Sequence, residues 1–417
     1  MDTTFNDKQN WRKNIFLFLS SQMISLFGSS IVQYAIMWHI TLSTESGLMM
    51  TFYIICGFIP TFLLSPFAGV WADRYNRKIL IILSDGVIAL STLILAILFY
   101  SGFQEIWLLF VIAAIRAFGA GVQMPAIGAI LPQIVPKDQL TKINGINGSL
   151  QAIVLFISPM VGALLFSITT LENIFMIDVV TAAIAISVLL FFLKIKAHKK
   201  AQEKQTVSYF ADFKIGLTYI KGNSYLKVLF LFLAIFLVMM APASFLTPIQ
   251  IARSFGDDVW RLSAIEVAFS VGMMIGGGVI ASWGGFKNRI TTQSFAAIIM
   301  GVCTLALGVV PLFWIYLLFM LLFGLAMPIF NTPANVLLQE KVEEDYLGRV
   351  FGIMSMISTA MMPLGMLIFG PLADYVSIES LLIGTGIVLM IIAILFGRNK
   401  TLLEAGEPVL QEEPESN

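Results

Sequence analysis

The chain has 417 residues, of which 58% are hydrophobic and only 12% are charged, and its mean hydropathy is +0.89. Soluble globular domains carry about 25% charged residues, so this composition excludes the soluble class and indicates a membrane protein made mostly of lipid-embedded helices. The 25 basic and 25 acidic residues balance, so nothing in the charge suggests a nucleic-acid partner.

Apolar runs long enough to cross a bilayer, about 20 residues each, follow one another along the chain. The twelve predicted spans are 14–40, 48–70, 78–100, 106–131, 143–168, 171–193, 225–251, 261–284, 289–311, 313–338, 347–370 and 378–397. We therefore predict an N-terminal six-helix half at 1–193, a polar, Lys-rich cytoplasmic linker at 194–224 and a C-terminal six-helix half at 225–400. The acidic tail at 401–417 is predicted to be disordered.

Lys and Arg residues are distributed unevenly between the two sides of the predicted spans. Of the 25 in the chain, all but Arg116, Arg253 and Arg261 fall on the side of the N-terminus. Cytoplasmic loops collect Lys and Arg, so both termini are predicted to be cytoplasmic. Trp38 lies near the end of the first span, where an interfacial anchor is expected.

The two halves are weak repeats of one another. Pro125-Ala126 in the fourth span matches Pro333-Ala334 in the tenth, and the elements that follow also align: Leu140, Lys142 and Gly145 with Leu347, Arg349 and Gly352. Transporters often contain such repeats and place the substrate site between the halves.

Residues 69–78, between the second and third spans, have the densest charge close to the membrane. The stretch reads Gly-Val-Trp-Ala-Asp-Arg-Tyr-Asn-Arg-Lys, and its excess of basic residues assigns it to the cytoplasmic side. Asn76 is expected to take the left-handed conformation that a tight turn between helices needs. This loop is predicted to latch helices together on one side of the membrane.

The loop, the span count and the central basic linker together resemble the major facilitator superfamily, whose signature is Gly-x-x-x-Asp-Arg-x-Gly-Arg-Lys/Arg. The chain matches it at Gly69, Asp73, Arg74, Arg77 and Lys78, and Asn76 replaces the second Gly. The resemblance covers about residues 10–400 and implies an all-α membrane fold of twelve transmembrane helices. It also implies a cytoplasmic latch, in which we expect Asp73 to approach Arg349.

Two further segments resemble family signatures. Arg116, followed by Gly119, is similar to the membrane-embedded Arg of the fourth helix, and a charge at that depth needs a partner or a cavity. Pro159 and Gly162 resemble the antiporter signature of the fifth helix, which implies a kink associated with export; a helix that is merely kinked is the alternative.

The finer resemblance is to the macrolide-efflux group of drug–proton antiporters, carried by strings such as Ile79–Asp85, Ile265–Gly277 and Tyr346–Phe351. It implies a monomeric plasma-membrane transporter that exports a hydrophobic, macrolide-like compound in exchange for protons. Siderophore or metabolite exporters of the same fold, nutrient importers and non-transporting sensors are the alternatives. No nucleotide-binding Gly-x-x-x-x-Gly-Lys-Ser/Thr motif or His/Cys metal cluster is visible, so we predict no enzyme activity, cofactor or metal.

The candidates for proton coupling are the ionisable residues within the spans: Glu266, Asp178, Asp85 and Arg116. Desolvation disfavours the charged form of a buried carboxylate, so such a group can bind and release a proton. Glu266 is the first choice and Asp178 the second, while Asp85 and Asp178 have the alternative of simply bonding a neighbouring helix.

Polar and soft apolar residues in the spans are candidates for a substrate cavity. They are Gln33, Gln123, Gln151, Met239, Met240, Asn331 and Asn335, with Gln22, Gln250 and Phe330 as further members. Any one of them can instead face lipid or belong to the core.

Overall fold

The computed structural model describes residues 3–136, 139–193, 209–256 and 258–407. Within these ranges the side chains of residues 3–10, 65–66, 69–70, 73–74, 141, 209–213 and 344–345 are not described. The described residues form α-helices and a π-helix, Val188–Phe192, without a β-strand. The helices are α1 (Thr3–Thr44), α2 (Gly47–Arg74), α3 (Arg77–Tyr100), α4 (Ile106–Ile134), α5 (Leu140–Ile168), α6 (Leu171–Ser187), α7 (Tyr209–Gly222), α8 (Ser224–Phe245), α9 (Thr247–Phe255), α10 (Val259–Trp283), α11 (Arg289–Val309), α12 (Phe313–Lys341), α13 (Glu344–Leu372), α14 (Ile378–Arg398) and α15 (Lys400–Ala405).

Twelve segments of this described part are long and apolar enough to cross a membrane, which confirms the predicted all-α, twelve-helix fold. They are α1–α6, the pair α8–α9, and α10–α14. The seventh segment was predicted as one continuous span, but the helix breaks at Leu246. Pro248 explains the break, because proline lacks an N–H and suits the first turn of a new helix.

The chain folds into two compact units. Unit 1 comprises Met1–Glu45, Met49–Gln205 and Asp257–Ser263, and unit 2 comprises Ser46–Leu48, Thr206–Gly256 and Ala264–Asn417. In unit 1, α3 packs against α4 and α6, and α1 packs against α5 and α6. Its main core joins side chains of α1, α3, α4 and α6, among them Ile36, Leu95, Leu109 and Phe175, all at most 1% exposed.

In unit 2, α11 packs against α12 and α14, while α8 packs against α13 and α14. The core is aromatic: the ring of Phe236 stacks on Phe330 with centroids 4.8 Å apart, and Phe232 stacks on Phe396 at 3.8 Å. Phe330, a candidate for the substrate wall, is only 2% exposed and therefore belongs to this core.

Asparagine caps begin two equivalent helices. Asn76 precedes α3 and its side chain accepts the backbone N–H of Lys78, while Asn288 precedes α11 and accepts those of Ile290 and Thr291. The expected left-handed conformation of Asn76 is wrong, since its φ is −66° and ψ is 112°. Asn occupies this position because its carbonyl satisfies an N–H that the first helical turn leaves free.

Two segments contain helices that sequence analysis did not identify. Part of the predicted linker forms α7, which packs on α13 so closely that a Cβ on Gly216 would lie 3.1 Å from the Cβ of Arg349; residues 194–208 lie outside the described residues. Part of the predicted disordered tail forms α15, in which Leu402 is fully buried. The expectation of disorder is therefore wrong for residues 401–405, and residues 408–417 lie outside the described residues.

Candidate functional site

A buried ion pair lies inside unit 1 and links two helices. The Arg116 guanidinium on α4 contacts the Asp178 carboxylate on α6, with the Asp178 side chain fully buried and the Arg116 side chain 11% exposed. The partner that an Arg at membrane depth requires is thus a carboxylate 62 residues further along the chain.

Hydroxyl and carbonyl groups from two more helices complete this ion-pair cluster. Ser29 on α1 donates to one oxygen of Asp178 at 2.8 Å, and the Thr92 hydroxyl on α3 lies 3.0 Å from the other. Arg116 also donates to the Thr92 hydroxyl and to the backbone carbonyl of Ser29. Four helices therefore meet at one charged pair, and both carboxylate oxygens of Asp178 have hydrogen-bond partners.

Gly28 explains how Ser29 reaches Asp178. A Cβ on Gly28 would lie 2.0 Å from the Thr181 hydroxyl oxygen and 3.2 Å from the Asp178 Cα. Because glycine has no side chain, α1 approaches α6 closely at this point, as small residues allow in membrane helices. The neighbouring hydroxyl of Ser29 is then within hydrogen-bonding distance of the carboxylate.

Asp85 on α3 is the centre of a second polar cluster in unit 1. One of its oxygens accepts hydrogen bonds from Ser25 on α1 at 2.7 Å and from Gln123 on α4 at 2.8 Å. Gln123 also lies 3.5 Å from the side-chain oxygen of Gln22, a longer contact. We call these four residues the Asp85 cluster.

The Asp85 cluster contains two buried polar atoms without a hydrogen-bond partner. They are the second carboxylate oxygen of Asp85 and the side-chain nitrogen of Gln22, on residues that are 1% and 4% exposed. Unlike Asp178, Asp85 has no ion pair in the described part of the chain. An unpaired buried carboxylate is costly, and binding a proton removes the charge that makes it so.

The two clusters lie along the same faces of the same helices. Thr92 follows Asp85 by seven residues on α3, and Gln123 follows Arg116 by seven on α4, which corresponds to two helical turns or about 10 Å. On α1, Ser25 and Ser29 are one turn apart. Unit 1 therefore contains one paired and one unpaired carboxylate in a common polar strip.

Glu266, the favoured proton carrier, lies on α10 in unit 2 and is half-buried. No hydrogen bond or ion pair joins its side chain to another described residue. The glycines that follow it on α10 differ in how closely another helix packs on them. A Cβ on Gly272 or Gly276 would lie within 2.1 Å of a backbone oxygen of α12, whereas Gly277 has open space around it. The close-packing surface of α10 thus includes Gly272 and Gly276 but not Gly277.

The candidate substrate-cavity residues occupy varied environments. Gln33 and Asn331 are exposed, Gln151, Met239 and Asn335 are half-buried, and Met240 is 1% exposed. Gln123 belongs to the Asp85 cluster. Gln250 is a structural residue, because it donates to the backbone carbonyl of Leu307 and accepts from the Tyr316 hydroxyl, both at 2.9 Å.

The predicted latch residues are described only in part. Arg77 donates to the carbonyls of Ala72 and Ala129, each at 2.8 Å, so it ties the start of α3 to α2 and α4. Lys78 donates to the carbonyl of Leu193 at 2.8 Å. Arg349 lies over the ring of Tyr346 on α13.

The structure does not describe the side chains of Asp73 and Arg74 or the surroundings of Gly69. The approach of Asp73 to Arg349 therefore stays a prediction.

Pro159 and Gly162 lie within α5, which runs unbroken through them. Both are buried, and a Cβ on Gly162 would lie 3.4 Å from the ring of Trp38. Trp38, expected as an interfacial anchor, is fully buried within the protein, and α1 continues to Thr44, beyond the predicted end of the first span.

Sequence reasoning missed the hydroxyl groups that complete both clusters. Ser21, Ser25 and Ser29 recur every four residues in an otherwise apolar segment, which places them on one face of α1. That spacing is a signal for a polar strip facing the helix bundle.

Comparison with known proteins identifies similar membrane transporters. The model of the Major Facilitator Superfamily matches residues 17–366. The chain is 30% identical over 387 residues to Macrolide efflux protein A of Streptococcus pyogenes, covering 92% of this chain and 95% of that protein. It is 24% identical to the Staphyloferrin A transporter of Staphylococcus aureus, covering 86% and 89%. Among solved structures, a mutant of the nucleoside transporter NupG matches with a TM-score of 0.69 at 16% identity, covering 93% of this chain and 99% of that one.

Proposed function

The chain belongs to the major facilitator superfamily, and we propose that it exports a hydrophobic, macrolide-like compound in exchange for protons. The similarity to Macrolide efflux protein A over 92% of this chain carries the substrate class. Export by alternating access, in the cell membrane and with both termini cytoplasmic, is part of the same proposal. The concentration of Lys and Arg on one side supports the orientation.

We assign the exchanged proton to Asp85. Asp178 is held by Arg116, Ser29 and Thr92, so protonating it would leave a guanidinium without its counter-charge. Asp85 lacks such a cation, and one of its oxygens is buried without a partner. A proton can therefore bind to Asp85 and leave it without breaking an ion pair. Glu266, half-buried and also without an ion pair in the described residues, is the second candidate.

Arg116 and Asp178 have a supporting role in this proposal. The pair lies about 10 Å along the same helices from Asp85 and contributes no net charge. It also fixes the relative positions of α1, α3, α4 and α6, the helices that surround both clusters in unit 1.

Proteoliposomes test the proposal directly. With an imposed proton gradient, the wild-type protein should accumulate a labelled macrolide against its concentration gradient, and addition of the macrolide should release protons. Asp85→Asn should bind the macrolide and lose uphill accumulation, while Glu266→Gln should keep it. Uphill transport by Asp85→Asn would exclude Asp85, and its loss in Glu266→Gln alone would transfer the role to Glu266.

A siderophore exporter is the second candidate function, because the Staphyloferrin A transporter is a relative along most of the chain. The same proteoliposomes distinguish the two substrates. Accumulation of staphyloferrin A without any accumulation of the macrolide would replace the first proposal with the second.

A further inference from the structure

A cavity of about 290 Å³ lies in unit 1, apart from both polar clusters. It opens where α1, the connection between α3 and α4, and the turn before α6 come together. Its lining includes His39, Phe99, Gln104, Phe166, Thr169 and Glu172. This volume is close to the lower end of the range for ligand sites, about 300–1,000 Å³, so its occupant is small.

Glu172 gives the cavity its charge. Glu172 is 7% exposed, and one of its carboxylate oxygens accepts a hydrogen bond from the Gln104 amide at 2.8 Å. No ion pair reaches Glu172 within the described residues. Its position in the first turn of α6 stabilises the negative charge, because the N-terminus of a helix carries partial positive charge.

Aromatic rings line the cavity together with this carboxylate. Phe99 is 2% exposed and packs edge-to-face on Phe175 with ring centroids 5.5 Å apart, so its position is fixed. The His39 ring also lies near Phe99, with ring centroids 6.5 Å apart, and Phe166 adds a second apolar surface to the cavity. Aromatic faces attract organic cations, and a carboxylate nearby adds direct charge attraction.

His39 is the other titratable group that lines the cavity, and it determines the charge of the empty site. As a neutral imidazole it leaves Glu172 as the charge of the lining. A protonated imidazole would compete with an external cation, so binding is best measured near pH 8, about 1.5 units above the ordinary histidine pKa.

We propose that this cavity binds an organic ammonium ion: a quaternary ammonium or protonated tertiary amine of about the size of choline. The ammonium would lie beside the free oxygen of Glu172 and its methyl groups against Phe99 and Phe166. The site belongs to unit 1 alone and does not depend on what the protein exports.

Choline and its neutral carbon analogue, dimethylbutanol, test the proposal on purified protein in detergent by saturation-transfer NMR. The wild-type protein should bind choline at least tenfold more tightly than dimethylbutanol. Glu172→Gln keeps an acceptor for Gln104 but removes the charge, and it should weaken choline binding at least tenfold. Glu105→Gln removes an exposed charge from the same connection and should leave binding unchanged.

His39→Lys provides a second route if Glu172→Gln does not fold. It places an ammonium group inside the cavity and should abolish choline binding while Glu172 remains. The proposal is overturned if wild-type protein shows no saturation transfer to choline, if dimethylbutanol binds equally well, or if His39→Lys and Glu172→Gln both retain full choline affinity.

Discussion

Asp178 and Asp85, two of the buried carboxylates of unit 1, should respond differently to the same chemical change. Asp178→Asn removes the counter-charge of Arg116, whose side chain is 11% exposed, and leaves that guanidinium buried. Breaking one partner of a buried ion pair costs about 3–5 kcal/mol. Arg116 retains its hydrogen bonds to Thr92 and to the Ser29 carbonyl, so we expect about 3 kcal/mol, the lower end.

Asp85→Asn is the matched control for this substitution. Asn can still accept from Ser25 and Gln123, and its amide replaces a carboxylate oxygen that has no partner. We expect the free energy of unfolding to change by less than about 1 kcal/mol, in either direction. Both positions are buried on helices of unit 1, so the difference isolates the ion pair.

The free energy of unfolding is measured by SDS titration of the purified protein in mixed micelles. A loss of about 3 kcal/mol corresponds to about a hundredfold in the equilibrium between folded and unfolded protein. The double variant Arg116→Met with Asp178→Leu should recover most of it, since replacing both members of a buried pair is close to neutral. Equal stability of Asp178→Asn and Asp85→Asn, or no recovery in the double variant, would refute the reasoning.

Three further predictions follow from individual contacts and from the proposed orientation. Gly272→Ala should destabilise the protein by about 1–3 kcal/mol in the same titration, because its Cβ would lie 2.0 Å from the Leu321 carbonyl oxygen, whereas Gly277→Ala should not. A cysteine at position 221 should resist an impermeant thiol reagent in intact cells and one at position 258 should react; the reverse pattern would contradict the proposed orientation. Asp73→Asn should reduce macrolide efflux without loss of membrane expression, and wild-type efflux would remove Asp73 from the latch.

Much of the architecture was predictable because a bilayer restricts what an apolar segment can do. A run of about 20 apolar residues must form a helix in order to satisfy its backbone hydrogen bonds. The same rule does not say where a helix ends once it leaves the hydrocarbon. The first span shows this limit, since α1 extends to Thr44, beyond the predicted end at residue 40, and the Trp38 ring near that end is fully buried.

The partner of Arg116 shows what a sequence leaves open. Depth in the membrane predicts that a partner exists, but Asp85, Asp178 and Glu266 all qualify by composition. The choice depends on a close approach of α1 to α6 at Gly28 and on hydroxyl groups from two other helices. Such contacts join distant parts of the chain, and a single sequence has no local signal for them.

Helix α7 was missed for a different reason. Phe210, Phe213, Leu217 and Ile220 recur at spacings of three and four residues, the pattern of an amphipathic helix. The Lys residues around this pattern favour a charged linker over the whole segment, so the sequence did not predict a helix there. Its stacked contact between Tyr219 and Tyr346, with ring centroids 4.2 Å apart, needs α13 and was not visible in the sequence.

The short helix α15 imposes an order on biosynthesis. It completes the start of α11, where the Asn288 amide donates to the carbonyl of Leu403, 115 residues later, and the N–H of Arg289 donates to the carbonyl of Gly406. At 5–20 residues per second, a ribosome needs about 6–23 s to add the missing part. During that interval the Asn288 amide and the Arg289 N–H lack these acceptors, so a chain that stops before residue 400 leaves the first turn of α11 without them.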